Sequence, residues 1–120
     1  MKVRLNNVRG EIIKDNETYI LEDNNFLDHM TLSRTFLKPG QSTRGHSHES
    51  QEEIYIFTEG EAIMQIGEIR YDASAGDTFL IQAGKFHRVF NLSDDMPCAF
   101  TCVFEKYDRA GNEAIYEKNK

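Results

Sequence analysis

Three histidines and one glutamate set among short strand-like runs are the feature that most constrains this chain of 120 residues. His46 and His48 are two residues apart, so in an extended segment both imidazoles project from the same face. Glu53 follows His48 at an odd separation, so a bend or bulge over residues 49–51 is needed to bring its carboxylate to that face. Glu52 points the other way in this register, although a one-residue bulge would exchange the two glutamates.

His87 supplies a third imidazole from a later segment of the chain. His87, Val89 and Asn91 alternate along one face of a predicted strand, so His87 can point inward beside them. Three nitrogens and one oxygen form a ligand set that suits one divalent transition metal, which is Fe, Mn, Ni, Co or Zn. We therefore predict a metal site whose four ligands are His46, His48, Glu53 and His87.

The segments around these residues predict an all-β protein. Short strand-like runs alternate with turn dipeptides such as Pro39-Gly40 and Glu59-Gly60, and no long helix is indicated. One of these runs, Thr78 to Ile81, is expected to be a buried strand. The predicted strands are Glu11 to Lys14, Thr18 to Glu22, Met30 to Leu37, Arg44 to His48, Glu53 to Thr58, Ala62 to Ile66, Ile69 to Asp72, Thr78 to Ile81, His87 to Asn91 and Cys98 to Glu105.

The arrangement resembles the cupin superfamily, because both motifs of that superfamily are present. The first motif is glycine, five residues, His-x-His, three or four residues, glutamate, six residues and glycine, and it is met by Gly40, His46, His48, Glu53 and Gly60. The second motif is met by Gly76, Gly84, His87 and Asn91, with Gln82 standing where the family usually has proline. The resemblance implies a single-domain, metal-binding cupin that folds as a double-stranded β-helix, or jelly-roll barrel.

The resemblance also implies a division of the chain and an oligomeric state. Residues 30–107 correspond to the cupin barrel, residues 1–29 supply N-terminal strands, and residues 108–120 form a polar C-terminal tail. Because the N-terminal strands of cupins often pair with a neighbouring protomer, a homodimer with residues 1–29 at its interface is implied. Docking of Ile115 and Tyr116 on a partner subunit is an alternative role for the tail.

Composition and charge narrow the partners and the compartment. Fourteen Lys and Arg against twenty Asp and Glu give a net charge of −6, which disfavours nucleic acid and anionic membrane surfaces as general partners. The N-terminus lacks the apolar run of a signal peptide, and no segment of about 18 apolar residues is present, so a cytoplasmic protein is expected. Cys98 and Cys102 lie about 13 Å apart on one strand face, too far for a disulfide, and are predicted to be reduced core residues.

Four ligands on a six-coordinate metal leave two adjacent positions for a small molecule. Such a site can hold a carbonyl and the adjacent hydroxyl of a sugar or sugar phosphate and acidify the C–H between them, which is the chemistry of an isomerase or epimerase. With ferrous iron, the same ligands suit a dioxygenase that acts on a small organic anion. A third hypothesis is a non-catalytic cupin that binds a metal and a small ligand.

The residues around the first motif favour the sugar hypothesis. The segment from Thr43 to His48, followed by Glu53-Ile54-Tyr55, is similar to the Thr-x-Gly-His-x-His and Glu-x-Tyr stretches of cupin-type phosphoglucose isomerases. Two features of those isomerases are not reproduced: the threonine, proline and glutamate pattern upstream of Thr43, and a proline-tyrosine run where this chain has Gly84-Lys85-Phe86. The resemblance therefore bears on the metal more directly than on the substrate.

Several side chains beside the ligands are candidates for catalysis or substrate binding. Tyr55 is a candidate catalytic proton donor, with an aromatic wall of the pocket as the alternative. Arg44 and Lys85 are candidate substrate-binding residues for a phosphate or carboxylate, with solvated rim charges as the alternative. Arg88 has the opposite parity to His87 and is expected to face away from the cavity. His29 is expected to be a packed or surface residue.

Overall fold

The structure, a computed structural model, describes residues 1–106 and 114–116. These residues form eleven β-strands joined by turns and loops. No residue in these two ranges is helical, and the described part contains no helix long and apolar enough to cross a membrane. The strands are β1 (Glu11–Asp15), β2 (Tyr19–Asn24), β3 (Met30–Leu37), β4 (His46–His48), β5 (Glu53–Glu59), β6 (Glu61–Ile66), β7 (Ile69–Ser74), β8 (Thr78–Ile81), β9 (His87–Asn91), β10 (Cys98–Glu105) and β11 (Ala114–Tyr116).

The strands form two sheets in which every described pair is antiparallel. One sheet has six strands in the order β1-β2-β3-β10-β5-β8, and the other has five in the order β11-β4-β9-β6-β7. Successive strands pass from one sheet to the other, as β4 to β5 and β9 to β10 do, which is the connectivity of a jelly roll. The predicted all-β jelly-roll fold is therefore confirmed.

The hydrophobic core lies between the two sheets. Phe57 and Phe100 project from the six-stranded sheet, and Met64 and Val89 project from the five-stranded sheet. All four are almost completely buried, and each such side chain stabilises the fold by about 1.5–3 kcal/mol. Along β5, buried and more exposed residues alternate, so Glu53, Tyr55 and Phe57 share the inward face of the strand.

The β8 strand departs from the prediction. Thr78 to Ile81 is a strand, but it is not a buried one, because Leu80 is 73% exposed and Thr78 is also exposed. The physical reason is the pleat: only one face of the six-stranded sheet packs on the core, so alternate residues of β8 face outward, and Leu80 lies there beside its register partner Ile54, which is 37% exposed. Ile81 is the buried member of the strand.

The two ends of the chain extend the two sheets. β1 and β2 continue the six-stranded sheet beyond β3, and the role of residues 1–29 in a dimer stays a prediction. Most of the predicted tail over 108–120 lies outside the described residues, but Ala114–Tyr116 pair with His46–His48 as β11. The sequence pattern did not predict this strand. The side chains of Ile115 and Tyr116 lie outside the described part of the structure, so their docking on a partner subunit stays a prediction.

Asn91 ties the end of β9 to two neighbouring segments. The two N–H groups of its side-chain amide are shared among three carbonyl oxygens, those of Leu37 and Lys38, each 3.2 Å from Nδ2, and that of Met96 at 2.9 Å. Because Asn91 is buried, these bonds replace the water that its amide would otherwise need. Asn91 therefore holds neighbouring loops together at one end of β9, while His87 stands at the other end of the same strand.

The two cysteines are free and buried, as predicted. Burial, with the charge of Glu59 as a smaller cause, raises the pKa of the Cys98 thiol to about 12. Burial also raises the pKa of Cys102, and the charges of Glu53 and Asp23 act in the same direction, while a hydrogen bond from Tyr55 opposes them. Both thiols are therefore protonated at neutral pH and weakly reactive.

Candidate metal centre

The four side chains predicted as ligands come together inside the barrel. One donor atom from each of His46, His48, Glu53 and His87 lies within 4.8 Å of the others. Glu53 Oε2 lies 2.5 Å from His87 Nε2 and 3.8 Å from His46 Nε2, and Oε1 lies 3.5 Å from His48 Nε2. All three imidazoles therefore present Nε2 to the same carboxylate.

The two sheets contribute different parts of this cluster. The three histidines stand on β4 and β9 of the five-stranded sheet, where His46 and His87 are register partners. Glu53 begins β5 of the six-stranded sheet, so its carboxylate meets the imidazoles from the opposite wall. Residues 49–52 lie outside the strands and make the predicted bend. Glu52 is exposed while Glu53 is buried, so the alternative register is excluded.

Backbone carbonyls orient two of the imidazoles. His87 Nδ1 lies 2.9 Å from the carbonyl oxygen of Lys85, and His46 Nδ1 lies 3.3 Å from that of Arg44. A carbonyl only accepts hydrogen bonds, so each Nδ1 carries the proton and donates it. The neutral ring then has its lone pair on Nε2, which faces the centre of the cluster. Carbonyls that hold the outer ring nitrogen in this way are typical of histidines that bind metals.

The charge state of the cluster at neutral pH also suits a cation. Burial opposes ionisation of Glu53, but the imidazoles of His46, His87 and His48 around its carboxylate outweigh burial and lower its pKa to about 2. Burial lowers the pKa of His48 to about 4, despite the opposing charge of Glu53. At pH 7 the site therefore presents a carboxylate and a neutral His48 imidazole, the forms that bind metals.

The separations fit one metal ion. Two ligand atoms that each lie about 2.1 Å from a metal are at most about 4.2 Å apart. The largest separation in the cluster is 4.8 Å, so small side-chain rotations are enough to close a shell around a single ion. The residues present therefore fit the divalent metal that the sequence predicted, and the geometry favours no one metal among Fe, Mn, Ni, Co and Zn.

Gly45 and the Phe86 ring pack closely beside the cluster. A Cβ atom built on Gly45 would lie 2.0 Å from an edge atom of the Phe86 ring. Gly45 precedes His46 and Phe86 precedes His87, so a side chain at position 45 would displace the ring next to two residues of the cluster. This contact could not be predicted from local sequence, because it joins segments about 40 residues apart.

A cavity of about 310 Å³ opens beside the cluster. Three of the four cluster residues, His46, His48 and Glu53, line it, and Tyr55 forms part of its wall. The Tyr55 ring packs edge-on against His87, with centroids 5.5 Å apart, and stacks on Phe100 at 5.2 Å. The other lining residues are Lys14, Tyr19, Leu21, Asp23, Ser33, Thr35, Thr43, Arg44, Phe100, Cys102 and Phe104.

The basic residues near the cluster have different positions. Arg44 is exposed and lines the cavity, so it remains a candidate for substrate binding. Lys85 is also exposed, but it does not belong to the cavity lining, and its carbonyl positions His87 instead. Arg88 faces away, as predicted: it donates hydrogen bonds to Thr43 and Ser42. Its guanidinium also lies 4.6 Å from the centre of the Phe90 ring.

His29 is exposed and stands apart from the cluster, as expected for a surface residue. The cavity wall contributed by β2 and β3 was missed by sequence reasoning. Asp23, Ser33 and Thr35 carry polar groups there, but they match no motif and lie outside the ligand intervals. Asp23 stands in the polar run 22–25, and Ser33 and Thr35 are two of the alternate polar residues of β3, and neither pattern by itself indicates a site.

The chain is similar to proteins of known sequence and of known structure. The chain is 25% identical over 85 residues to an uncharacterized protein, MJ1618, of Methanocaldococcus jannaschii, which covers 71% of this chain and 68% of that protein. The crystal structure of TT1209 from Thermus thermophilus is similar at 26% identity with a TM-score of 0.69, covering 76% of this chain and 86% of that one.

A conserved protein with a double-stranded β-helix domain from Klebsiella pneumoniae has the same fold at 23% identity. Its TM-score is 0.73, and the match covers 89% of this chain and 91% of that one. The family model described as Cupin domain matches residues 33–104, which are well over half of the chain. With two antiparallel sheets and a three-histidine, one-glutamate cluster between them, the chain belongs to the cupin domain family.

Proposed function

We propose that the protein is a metal-dependent enzyme that acts on a small oxygen-rich metabolite, with isomerisation or epimerisation of a sugar as its reaction. The observation that carries the proposal is the cluster itself: three imidazole Nε2 atoms and one carboxylate converge at the wall of a cavity large enough for a small metabolite. The ligands His46, His48, Glu53 and His87 would hold one divalent transition metal. When bound, that metal would polarise a substrate carbonyl and acidify the adjacent C–H.

Protein groups around the cluster supply the other requirements of this chemistry. The hydroxyl of Tyr55 is a proton donor at the cavity wall, and packing on His87 and Phe100 holds its ring in one orientation. Arg44 at the cavity rim offers a charge-assisted hydrogen bond to an oxygen of the substrate. Apolar side chains in the lining, including Leu21 and Phe104, displace water from the remaining surface.

The proposal is tested by elemental analysis combined with a substrate screen. Purified protein is expected to hold one divalent metal per chain and to interconvert sugars without oxygen. His48→Ala is expected to lose the metal and remain folded, whereas Tyr55→Phe is expected to keep the metal and lose turnover. Full metal occupancy in His48→Ala would show that these residues are not the ligands.

Two other outcomes of the same screen would identify a different function. Bound iron together with oxygen uptake on a small organic anion would support a dioxygenase. Ligand-induced thermal shifts with no turnover of any sugar would support a non-catalytic binding protein. Either result would overturn the isomerase proposal and leave the metal centre in place.

A homodimer is part of the proposal, and the N-terminal edge of the six-stranded sheet supports it. β1 is an edge strand, and Ile12 and Ile13 on it are 59% and 49% exposed. Exposed apolar residues on an open edge favour pairing with a second chain. Light scattering is expected to give twice the chain mass of 13.9 kDa, and Ile13→Lys is expected to reduce it to that of the monomer.

A further inference from the structure

Asp23 lies on β2, three strands from β5, where it lines the cavity wall that the six-stranded sheet contributes. Register pairs form a row across the inner face of this sheet, from Asp23 to Ser33, then to Cys102 and then to Tyr55. Adjacent strands are about 4.8 Å apart, so the backbones of β2 and β5 are separated by roughly 14 Å. Glu53 starts β5, so a ligand that fills the cavity can reach from the cluster toward Asp23.

One oxygen of the half-buried Asp23 carboxylate lacks an internal hydrogen bond. Within the described part of the chain, Oδ1 is inaccessible to solvent and has no hydrogen-bond partner. A buried acceptor left in this state costs about 1–3 kcal/mol, so it is seldom retained without a function. Asp23 lines the cavity beside its register partner Ser33, so its side chain lies on the inner side of the sheet.

Two buried hydroxyls continue this polar wall. Ser33 is the register partner of Asp23, and Thr35 lies two residues further along β3, where both residues line the cavity. Hydroxyls both donate and accept hydrogen bonds, whereas a carboxylate only accepts them. A ligand group that meets Asp23 must therefore be a hydrogen-bond donor.

We propose that Asp23 is a specificity-determining residue that binds a hydroxyl at the end of the substrate distal to the metal. The site then selects a free sugar over one that carries a phosphate at that end, because phosphate oxygens would face a half-buried carboxylate of the same charge. Lys14 lines the same wall but is exposed, so solvent screens its charge more strongly than that of Asp23. This inference rests on the proposed function and names its substrate class.

The test compares two probes that differ only at the distal carbon, D-fructose and D-fructose 6-phosphate. Their affinities are measured by calorimetry on metal-loaded wild type, Asp23→Ala, Asp23→Asn and the surface control Asp28→Asn, with metal content determined for each. Wild type is expected to prefer fructose at least about tenfold. Asp23→Ala is expected to weaken fructose binding at least about tenfold, as for a hydrogen bond to a charged group, with unchanged metal content. Asp28→Asn is expected to match wild type.

The outcomes separate this inference from the proposed function. Unchanged fructose affinity in Asp23→Ala, or tighter binding of the phosphate by wild type, overturns the role of Asp23 and leaves a sugar-binding metal site. If metal-loaded wild type binds neither probe, the sugar proposal and this inference fail together. Should Asp23→Ala fold poorly by circular dichroism, the isosteric Asp23→Asn decides: it is expected to lose most of the discrimination against the phosphate, and full discrimination in that variant is contrary evidence.

Discussion

Acidifying the metal-free protein should remove stability through His48 in a defined pH window. Burial lowers the pKa of this imidazole from 6.5 to about 4 in the folded chain. Between these two values the unfolded chain binds a proton that the folded chain does not, so stability falls as pH falls from 6.5 toward 4. Above pH 6.5 both states hold His48 neutral, and its contribution is fully present. Glu53, with its pKa lowered to about 2, adds its own loss only below about pH 4.5.

The magnitude follows from the interval between the two pKa values. At about 1.4 kcal/mol per pH unit, the full effect of His48 is roughly 3 kcal/mol. At pH 5, which is about 1.5 pH units below the unfolded pKa of His48, about 2 kcal/mol of the His48 contribution to stability is lost. The contribution of Glu53 is still almost complete at this pH. Measurement at pH 5 therefore isolates His48 from Glu53.

Urea unfolding in the presence of a chelator, at pH 7.5 and pH 5, measures this loss. The control is His48→Asn, which removes the titrating group, and His29→Asn on the surface serves as a second reference. Wild type and His29→Asn are expected to lose about 2 kcal/mol more than His48→Asn between the two pH values. The reasoning is refuted if wild type and His48→Asn lose the same free energy to within about 0.5 kcal/mol.

Three further predictions follow from contacts in the structure. Gly45→Ala is expected to weaken Ni²⁺ binding at least about tenfold in a metal titration, because the added methyl group would overlap the Phe86 ring. Adding Phe86→Ala to the same chain is expected to restore the affinity, and normal affinity in Gly45→Ala alone would contradict the prediction. Asn91→Ala is expected to lower the free energy of unfolding by roughly 3 kcal/mol, because three backbone carbonyls lose their donor, and a loss below about 1 kcal/mol in urea would argue against it. Cys98 and Cys102 are expected to resist a thiol-specific disulfide reagent at pH 8 in the native protein and to react together in urea, whereas rapid native labelling would disagree with their burial.

Sequence reasoning was most successful where the information is local. Alternation of side chains along β5 and β9 determines which residues face inward, and the structure confirms those faces for Glu53 and His87. Met30–Leu37 and Cys98–Glu105 also match their predicted bounds. The reason is that strand periodicity and turn chemistry involve only a few neighbouring residues.

Other features depend on which strands become neighbours. Leu80 is exposed because it lies on the outer face of the six-stranded sheet, and an uninterrupted apolar run such as Phe79-Leu80-Ile81 does not indicate which of its residues face outward. Lys85 orients His87 through its backbone carbonyl, which every residue type carries, so the identity of residue 85 does not reveal this role. The β11 strand pairs with β4 across more than 60 residues, although its composition indicated a polar tail.

The sequence by itself determined the four side chains of the cluster, because fixed intervals on strands restrict where each can point. The tertiary structure alone decided the shape and polarity of the cavity beside them. Asp23 and Ser33 come to face the same space as Glu53 only because β2, β3, β10 and β5 lie side by side in one register. Such pairing is set by contacts between residues distant in the chain, so the polar wall of the cavity depends on the fold, while the residues of the three-histidine, one-glutamate cluster follow from the intervals of the motif.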